Sequence, residues 1–523
     1  MGVYLNPGSD KFIMAQQSNI YVDKSRLIAY LNKVFRTENR FVCVSRPRRF
    51  GKSMAANMIA AYYDRTSDAQ ENFERLQIAA DESFTVHCGK YDVIQINMQD
   101  FLSRAQDIDK LVDLLRSRLL KELLREYPAD DYMDETDLID VMSEIYARTK
   151  RPFVIVIDEW DSIFREYGER KEWQKKYLDF LRNWLKDKAY VGLAYMTGIL
   201  PIKKYGTHSA LNMFSEFSME NPRDLAEFVG FTSAEVRALC DEYGRNFEEC
   251  RAWYDGYRFA NVGEVYNPRS IVEAMLSGVF DTYWNQTETF EALKIYIDMN
   301  YDGLRETIIA LMSGEKQRVN TKYFVNDMTT FENKDDVLTL LIHLGYLGYD
   351  ANTESVFVPN NEIMIEYGSA VGVGGWDKVT AAVKKAEELL QATLNQDAEK
   401  VAQGIEDAHF ETSHLTYNDE NALSYTLSLA YYTARQKFVV MREFPTGKGF
   451  ADLVFLPRPK YATLPVLVIE LKWDKGATPA IEQIKEKNYP QALEDYVGDM
   501  LLVGVSYDKH TRKHECVIER RVK

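Results

Sequence analysis

Phe41 to Met54 reads F-V-C-V-S-R-P-R-R-F-G-K-S-M. A short β-type run, Phe41 to Ser45, enters a loop ending in Gly51-Lys52-Ser53, and the helical pattern A-A-N-M-I-A-A-Y-Y follows Met54. Strand, loop and helix in this order point successive backbone N–H groups and a helix N-terminus at one spot, which is how a chain cradles phosphate. In such a loop the lysine, Lys52, reaches the outer phosphate oxygens and the hydroxyl of Ser53 meets Mg²⁺. One position departs from the usual G-x-x-x-x-G-K-[ST]: Arg46 stands where the first glycine is expected. Taken alone, the stretch is equally a helix that begins after Gly51.

A second stretch, Arg151 to Phe164, reads R-P-F-V-I-V-I-D-E-W-D-S-I-F. Phe153 to Ile157 is a continuous apolar, β-branched run, as expected of a parallel strand covered on both faces. It ends in Asp158-Glu159, two acids at the C-terminal edge of a strand, where open α/β sheets bind ligands. In a Walker B arrangement the first acid holds the magnesium shell and the second polarises the attacking water. The alternative is a strand that simply ends in solvated acids. The two stretches together point to a nucleotide site, with Arg46, Pro47, Arg48, Arg49, Phe50, Gly51, Lys52, Ser53 and Met54 as the cradle.

Around them, strands at Asp92–Met98 and Tyr190–Thr197 alternate with amphipathic helices near 106–126, 134–149 and 171–186, the order of a parallel, three-layer α/β sheet. Ahead of the loop, Asp23 or Ser25 is placed to cap a helix. Thr197 would emerge at the same sheet edge as Asp158, where its hydroxyl would sense the γ-phosphate or merely end the strand. From about Phe231 the pattern turns helical, opening on Thr232, Ser233 and Glu235. Residues 330–366 read as helix, strand, turn, strand, the order of a winged-helix unit; without a basic face, a packing or lid role is expected. Gly368 to Gly375 is the expected hinge to the last domain.

The C-terminal part holds a second constellation. Gly447 to Asp452, G-K-G-F-A-D, leads into the strand L-V-F-L-P, and Leu464 to Trp473 reads L-P-V-L-V-I-E-L-K-W. Alternation along a strand puts Glu470 and Lys472 on one face and Leu471 on the other. An antiparallel neighbour would bring Asp452 beside them. Two carboxylates and a lysine on one face suit metal-dependent phosphodiester chemistry: Asp452, Glu470 and the Leu471 carbonyl would hold Mg²⁺ or Mn²⁺, and Lys472 would orient or deprotonate water. A hairpin with an ordinary Glu–Lys pair is the alternative. Gln483, on a helix opening at Pro479, adds to the first reading, and Glu420 would supply either an extra acid or a partner for a helix N-terminus. The tail from Arg512 is locally basic and is expected to be a solvated end.

Net charge is −16, so any nucleic-acid contact must come from a local basic surface rather than the average field. Five scattered cysteines, Cys43, Cys88, Cys240, Cys250 and Cys516, include no C-x-x-C pair. They fit reduced thiols rather than a disulfide frame or a zinc site. The start M-G-V-Y-L-N-P-G lacks the basic and apolar segments of a signal peptide, and no apolar run approaches the roughly 18 residues of a membrane span. A soluble, cytoplasmic protein is expected.

Y-V-D-K-S, R-P-R-R-F-G-K-S-M, V-I-D-E-W-D, W-Y-D-G-Y-R-F, Y-N-P-R-S-I and H-L-G-Y-L resemble, in order, the bacterial AAA-ATPase-like family. The segments G-K-G-F-A-D, V-I-E-L-K-W and I-E-Q-I-K-E-K-N-Y resemble the PD-(D/E)XK nuclease domain fused to it. The resemblance implies ATP and Mg²⁺ held through Gly51, Lys52, Ser53 and Asp158, with Glu159 as catalytic base and arginine normal at position 46. It also implies a restriction-endonuclease-like fold carrying Asp452, Glu470 and Lys472, with Gln483 on the following helix. Leu423-Ser424 after Glu420 departs from the family pattern and weakens Glu420 as a site acid. The expected organisation is an AAA+-like P-loop domain over 1–230, a helical and winged-helix-like lid over 231–380, and a nuclease-like α/β domain over 381–523. The leading expectation is ATP-dependent processing of DNA or another nucleic acid. The alternatives are a nucleotide-gated switch or scaffold that binds without cutting, and ATP binding without turnover. No arginine finger stands out, since Arg46, Arg48 and Arg49 lie in the loop itself, and a finger from another subunit would require an oligomer.

Overall fold

The computed structural model describes residues 2–105, 107–202, 204–205, 208–209, 211–259, 262–284, 303–312, 314–325, 331–373, 377–411, 427, 431, 434, 437–445, 450–458, 461–474, 476–486, 499–511 and 513–521. The chain divides into two compact units: residues 1–250, 254–279 and 318–356 in the first, and 251–253, 280–317 and 357–523 in the second. The segment 231–380, expected to be one lid, is thus shared between them.

In the first unit, α1 (Arg26–Val34) precedes β1 (Phe41–Ser45), the loop, and α2 (Lys52–Tyr63). Next come β2 (Asp92–Asn97), α3 (Ile108–Glu126), α4 (Leu138–Thr149), β3 (Phe153–Asp158), α5 (Ser162–Glu166), α6 (Lys171–Leu185), β4 (Val191–Gly198) and β5 (Ser215–Phe217). The strands pair in the order β2-β3-β4-β1-β5, all in parallel. Every residue of β1, β3 and β4 is buried, so both sheet faces are covered, the three-layer arrangement that near-continuous apolar strands require. Asp107 and Asp137 cap α3 and α4 by accepting N–H bonds from the first turn of each helix.

Neither Asp23 nor Ser25 caps α1. The Asp23 carboxylate accepts from Ser25 N and Gln77 N, and Ser25 Oγ accepts from Ile78 N. The two side chains instead bind a turn more than fifty residues away.

The same unit continues with β6 (Phe231–Thr232), α7 (Ser233–Tyr243), β7 (Tyr257–Phe259) and β8 (Gly263–Tyr266), the strands ordered β6-β8-β7. Thr232 and Glu235 form a reciprocal capping box at α7. Then β9 (Gln317–Arg318), α8 (Lys334–Leu344), β10 (Gly348–Asp350) and β11 (Ser355–Phe357) follow, with strand order β9-β11-β10, a helix followed by a small sheet as in a winged-helix unit.

The second unit contains α9 (Asn361–Val373), α10 (Asp377–Leu394), α11 (Ala398–Glu411), β12 (Phe438–Pro445), β13 (Phe450–Pro457), β14 (Val466–Trp473), α12 (Thr478–Glu486), β15 (Met500–Asp508) and β16 (Lys513–Arg521). Of Gly368 to Gly375, expected as a hinge, the residues up to Val373 are the last part of α9, and Gly374 and Gly375 lie outside the described residues. The five strands pair in chain order, antiparallel except for the parallel β14–β15 step. Alternation splits the sheet's apolar residues between two cores. Leu453, Phe455, Leu467, Ile469 and Leu471 pack with Leu389, Leu390, Val401 and Ile405 of α10 and α11. Val454, Leu456, Val466 and Val468 pack with Ile481 and Ile484 of α12. The tail from Lys513 is therefore not a loose end but an edge strand of this sheet. Glu420 and the turn Gly447–Gly449 lie outside the described residues. Among the described residues, no helix is long and apolar enough to cross a membrane.

Candidate functional sites

At the first site β1 ends at Ser45 and the loop turns sharply into α2. Gly51 adopts φ 90° and Arg49 φ 69°, left-handed values that let the chain curl ahead of Lys52. Lys52 is buried, and its Nζ donates to Arg46 O (3.0 Å) and Pro47 O (2.9 Å). Burial holds this ammonium below its ordinary pKa, against the opposing pull of Glu159, Asp161 and Asp158. Ser53 and Met54 are exposed at the start of α2, Arg49 is exposed, and Arg48 is half-buried.

Arg46 plays a different part from its neighbours. Its main-chain N–H is spent on Gly198 O (3.1 Å). Its Nη1 donates to Ser45 O and Phe217 O, both at 2.9 Å, and its guanidinium lies 5.2 Å from the Phe259 ring centroid. Complete burial pushes its pKa down to about 10. Arg46, expected in the cradle, thus turns its side chain into the fold and ties β1 to β5 and β7. Phe50 also turns inward, fully buried with its ring edge-on to Tyr257 at 5.3 Å.

Asp158 and Glu159 stand at the end of β3, next to the loop. Asp158 is 5% exposed. Its Oδ1 accepts from Thr197 Oγ1 (2.9 Å) and Glu159 N (3.1 Å), while Oδ2 lies 3.4 Å from Asn97 Nδ2. Thr197 therefore acts on Asp158, as does Asn97, which sits beside Asp158 in the β2–β3 register. Glu159 adopts φ 54°, a conformation uncommon for a residue with a side chain. Its Oε2 is paired with Arg165 Nη2. Burial raises the Glu159 carboxyl above its ordinary pKa, with Lys52 pulling the other way. Asp161 is fully buried and accepts from Ile199 N (3.0 Å) and Leu200 N (2.8 Å), pinning the chain that leaves β4. The reading of the motif overlooked Arg165, Asp161 and Asn97; the four-residue spacing of Asp161 and Arg165 was the available signal.

At the second site the β13–β14 ladder runs from Phe455↔Leu467 to Leu453↔Ile469. The next step in register sets Asp452 opposite Glu470. There the carboxylate replaces the main-chain partner, and Asp452 Oδ2 accepts from Leu471 N at 2.7 Å. Glu470 is 1% exposed. Its Oε1 is paired with Gln483 Nε2 and lies 3.4 Å from Lys472 Nζ. Leu471 turns its side chain into the opposite core. Asp452, Glu470, Lys472 and Gln483 are thus brought together. Gly504, beside Glu470 in the β14–β15 register, lets α12 lie close: a Cβ there would meet Ala477 O at 2.6 Å and Ile481 Cγ1 at 3.0 Å. This glycine carries Gln483 to the site and left no signal in the sequence.

Both donor sets are hard oxygens: a hydroxyl and a carboxylate at the first site, two carboxylates and a main-chain carbonyl at the second. They fit Mg²⁺ or Mn²⁺ and not a soft metal. Among the described residues no group of three or more His, Cys, Asp or Glu side chains forms a metal cluster, so a cation at the second site would draw on the main chain as well.

A curated protein of Azotobacter chroococcum mcd 1, described as an uncharacterized protein in the vnfD 5′ region, is 22% identical over 512 residues, covering 94% of this chain and 93% of its own. Among solved structures, the ORC2 protein of Aeropyrum pernix in ADPNP–ADP complexes is 12% identical with a TM-score of 0.30, covering 68% of this chain and 96% of its own. Cdc6p from Pyrobaculum aerophilum is 10% identical with a TM-score of 0.23 and the same coverage. At these scores the likeness is loose. Two family models match directly, one described as Predicted AAA-ATPase over residues 9–207 and one as PD-(D/E)XK nuclease superfamily over residues 420–516. The chain therefore joins an AAA-ATPase-like domain to a C-terminal domain of the PD-(D/E)XK nuclease superfamily.

Proposed function

We propose that this protein hydrolyses ATP at the Lys52–Asp158–Glu159 site and cleaves phosphodiester bonds of DNA at the Asp452–Glu470–Lys472 site, with nucleotide state governing cleavage. The observation that carries the reading is the convergence of Asp452, Glu470, Lys472 and Gln483 on one sheet face, in a chain that also holds Lys52 beside Asp158 and Glu159.

At the first site the loop amides and Lys52 bind the triphosphate, and Ser53 and Asp158 would hold Mg²⁺, which when bound supplies charge to the phosphate oxygens. Lys52 exchanges its two loop carbonyls for phosphate oxygens. Glu159 takes a proton from the attacking water as the water oxygen bonds to Pγ; the bond from Pγ to the bridging oxygen breaks, and its electron pair leaves on ADP. At the second site Asp452, Glu470 and the Leu471 carbonyl would hold Mg²⁺ or Mn²⁺, which when bound supplies charge to the developing phosphorane. Lys472 orients the water, and Gln483 fixes the Glu470 carboxylate.

The test is direct. The full chain is incubated with supercoiled, linear and single-stranded DNA in Mg²⁺ or Mn²⁺, with and without ATP, beside Lys472→Ala and Glu159→Gln. Cleavage lost in Lys472→Ala and altered in Glu159→Gln supports the reading; no cleavage under any condition overturns its nuclease half. The net charge of −16 favours a second reading, in which the C-terminal domain binds a partner without cutting. In that case wild type and Lys472→Ala behave alike.

A further inference from the structure

Arg165 stands between the two acids that follow Asp158. Its Nη2 is paired with Glu159 Oε2, its Nε lies 3.3 Å from Asp161 Oδ2, and its side chain is 10% exposed. Asp161 is held rigidly by Ile199 N and Leu200 N. One side of the guanidinium therefore faces a counter-charge whose position is fixed, at ion-pair distance, while Nη2 rests on a carboxylate that is 23% exposed. The side chain is mounted as a pivot.

Lys52, the group that meets the outer phosphates, lies in the electrostatic field of Glu159, Asp161, Asp158 and Arg165 together. Both reactive groups are held by the protein: Lys52 by Arg46 O and Pro47 O, Glu159 by Arg165. A triphosphate entering beside Lys52 brings more negative charge than a single carboxylate. A guanidinium's planar fork suits phosphate oxygens at least as well as carboxylate oxygens.

We propose that Arg165 is an arginine supplied by this chain to its own nucleotide, turning about Asp161 from Glu159 to the γ-phosphoryl oxygens when a nucleoside triphosphate binds. The movement does two things. It releases the Glu159 carboxylate to accept the water proton, and it places positive charge where the transferring phosphoryl group develops negative charge. The inference rests on the reading of this site as one that hydrolyses ATP.

Binding of ADP and of a non-hydrolysable ATP analogue, each with Mg²⁺, is measured by calorimetry on the full chain. Arg165→Ala should weaken the analogue about tenfold or more and leave ADP unchanged, because only the analogue has a γ-phosphate for the charge-assisted bond. Arg165→Lys should recover part of the loss and guards against an alanine variant that fails to fold. Glu159→Gln, which loosens the resting pair, should tighten the analogue relative to ADP, and this gain should vanish in the double variant with Arg165→Ala. Turnover of Arg165→Ala should fall by roughly 10³-fold, in the range for an arginine that neutralises transferring phosphoryl charge. Equal loss of ADP and analogue, or no loss of either, overturns the inference. Lys52→Ala separates the two failures. If it abolishes binding of both nucleotides while Arg165→Ala leaves their ratio alone, Arg165 is wrong and the nucleotide site stands; if wild type and Lys52→Ala bind alike, the nucleotide reading falls and takes Arg165 with it.

Discussion

Asp452 is the first residue of β13 beyond its ladder with β14, and its Oδ2 takes the N–H of Leu471, the residue after Glu470, at 2.7 Å. One carboxylate thus does a structural task, fastening the strand end, and stands beside the second acid. The two roles separate by substitution. Asp452→Asn keeps an acceptor oxygen for Leu471 N and removes the charge, so cleavage should fall at least about 10²-fold with little change in melting temperature. Asp452→Ala should lose the same activity and also cost about 1–3 kcal/mol, because it leaves a buried N–H without a partner. Plasmid nicking and thermal melts of the same preparations check both.

Gly504 sets how closely α12 approaches the sheet. With Ala477 O only 2.6 Å from where a Cβ would stand, Gly504→Ala must push the start of α12 outward and draw Gln483 away from Glu470. We expect a loss of about 1–3 kcal/mol from overpacking. DNA cleavage should fall together with it, while ATP binding by residues 9–207 stays as in wild type. Cleavage retained at the wild-type level would show that Gln483 does not need its pairing with Glu470.

Much of this was legible because each site is built from short motifs at strand ends. A buried parallel strand announces itself by unbroken apolar residues, and its following acids fall at the ligand edge of the sheet. Alternation on β14 fixes which of Glu470, Leu471 and Lys472 face together. What stayed hidden depends on contacts between distant segments. Asp23 and Ser25 look like caps, yet Gln77 N and Ile78 N claim them. Gly368 to Val373 looks like a hinge, yet tertiary packing around the buried Tyr367 and Ala370 keeps it helical. The pairing of Glu159 with Arg165 accompanies a left-handed φ at Glu159, which no periodicity reveals.

Asp92, at the start of β2, supplies a pH test away from both sites. Burial alone would raise its carboxyl, but hydrogen bonds from Asn6, Tyr127 and Arg65 and the charge of Arg65 outweigh it and hold the pKa below the ordinary carboxylate value. A depressed folded-state pKa stabilises the fold above the unfolded value of about 3.9, and the contribution is lost as pH falls through the folded value. Asp92→Asn should therefore cost about 1–3 kcal/mol at pH 7, since Arg151, 3.2 Å from Asp92 Oδ2, loses that acid while Arg65 keeps its pairing with Glu126. The gap from wild type should hold down to about pH 5 and close below about pH 4. Melting curves of the two proteins across that range give the answer; a gap that widens on acidification would refute the sign.

Arg46 tests whether the unusual loop residue serves the nucleotide or the fold. Replacing it by glycine restores the more familiar loop pattern, and a purely loop-centred view expects nucleotide affinity to hold or improve at no cost. The contacts argue otherwise. Nη1 satisfies Ser45 O and Phe217 O, and the guanidinium lies over Phe259, so glycine leaves two buried carbonyls unmatched and a void beside an aromatic ring. Against this stands the relief of no longer burying a charge, which offsets part of the loss. We expect Arg46→Gly to lose about 2 kcal/mol net and to melt several degrees lower. Arg46→Met, which refills the volume without the hydrogen bonds, should fall between glycine and wild type. If the methionine variant is as unstable as the glycine variant, the hydrogen bonds carry the effect; if it equals wild type, the packing against Phe259 does. A glycine variant as stable as wild type would remove Arg46 from the fold's supports altogether.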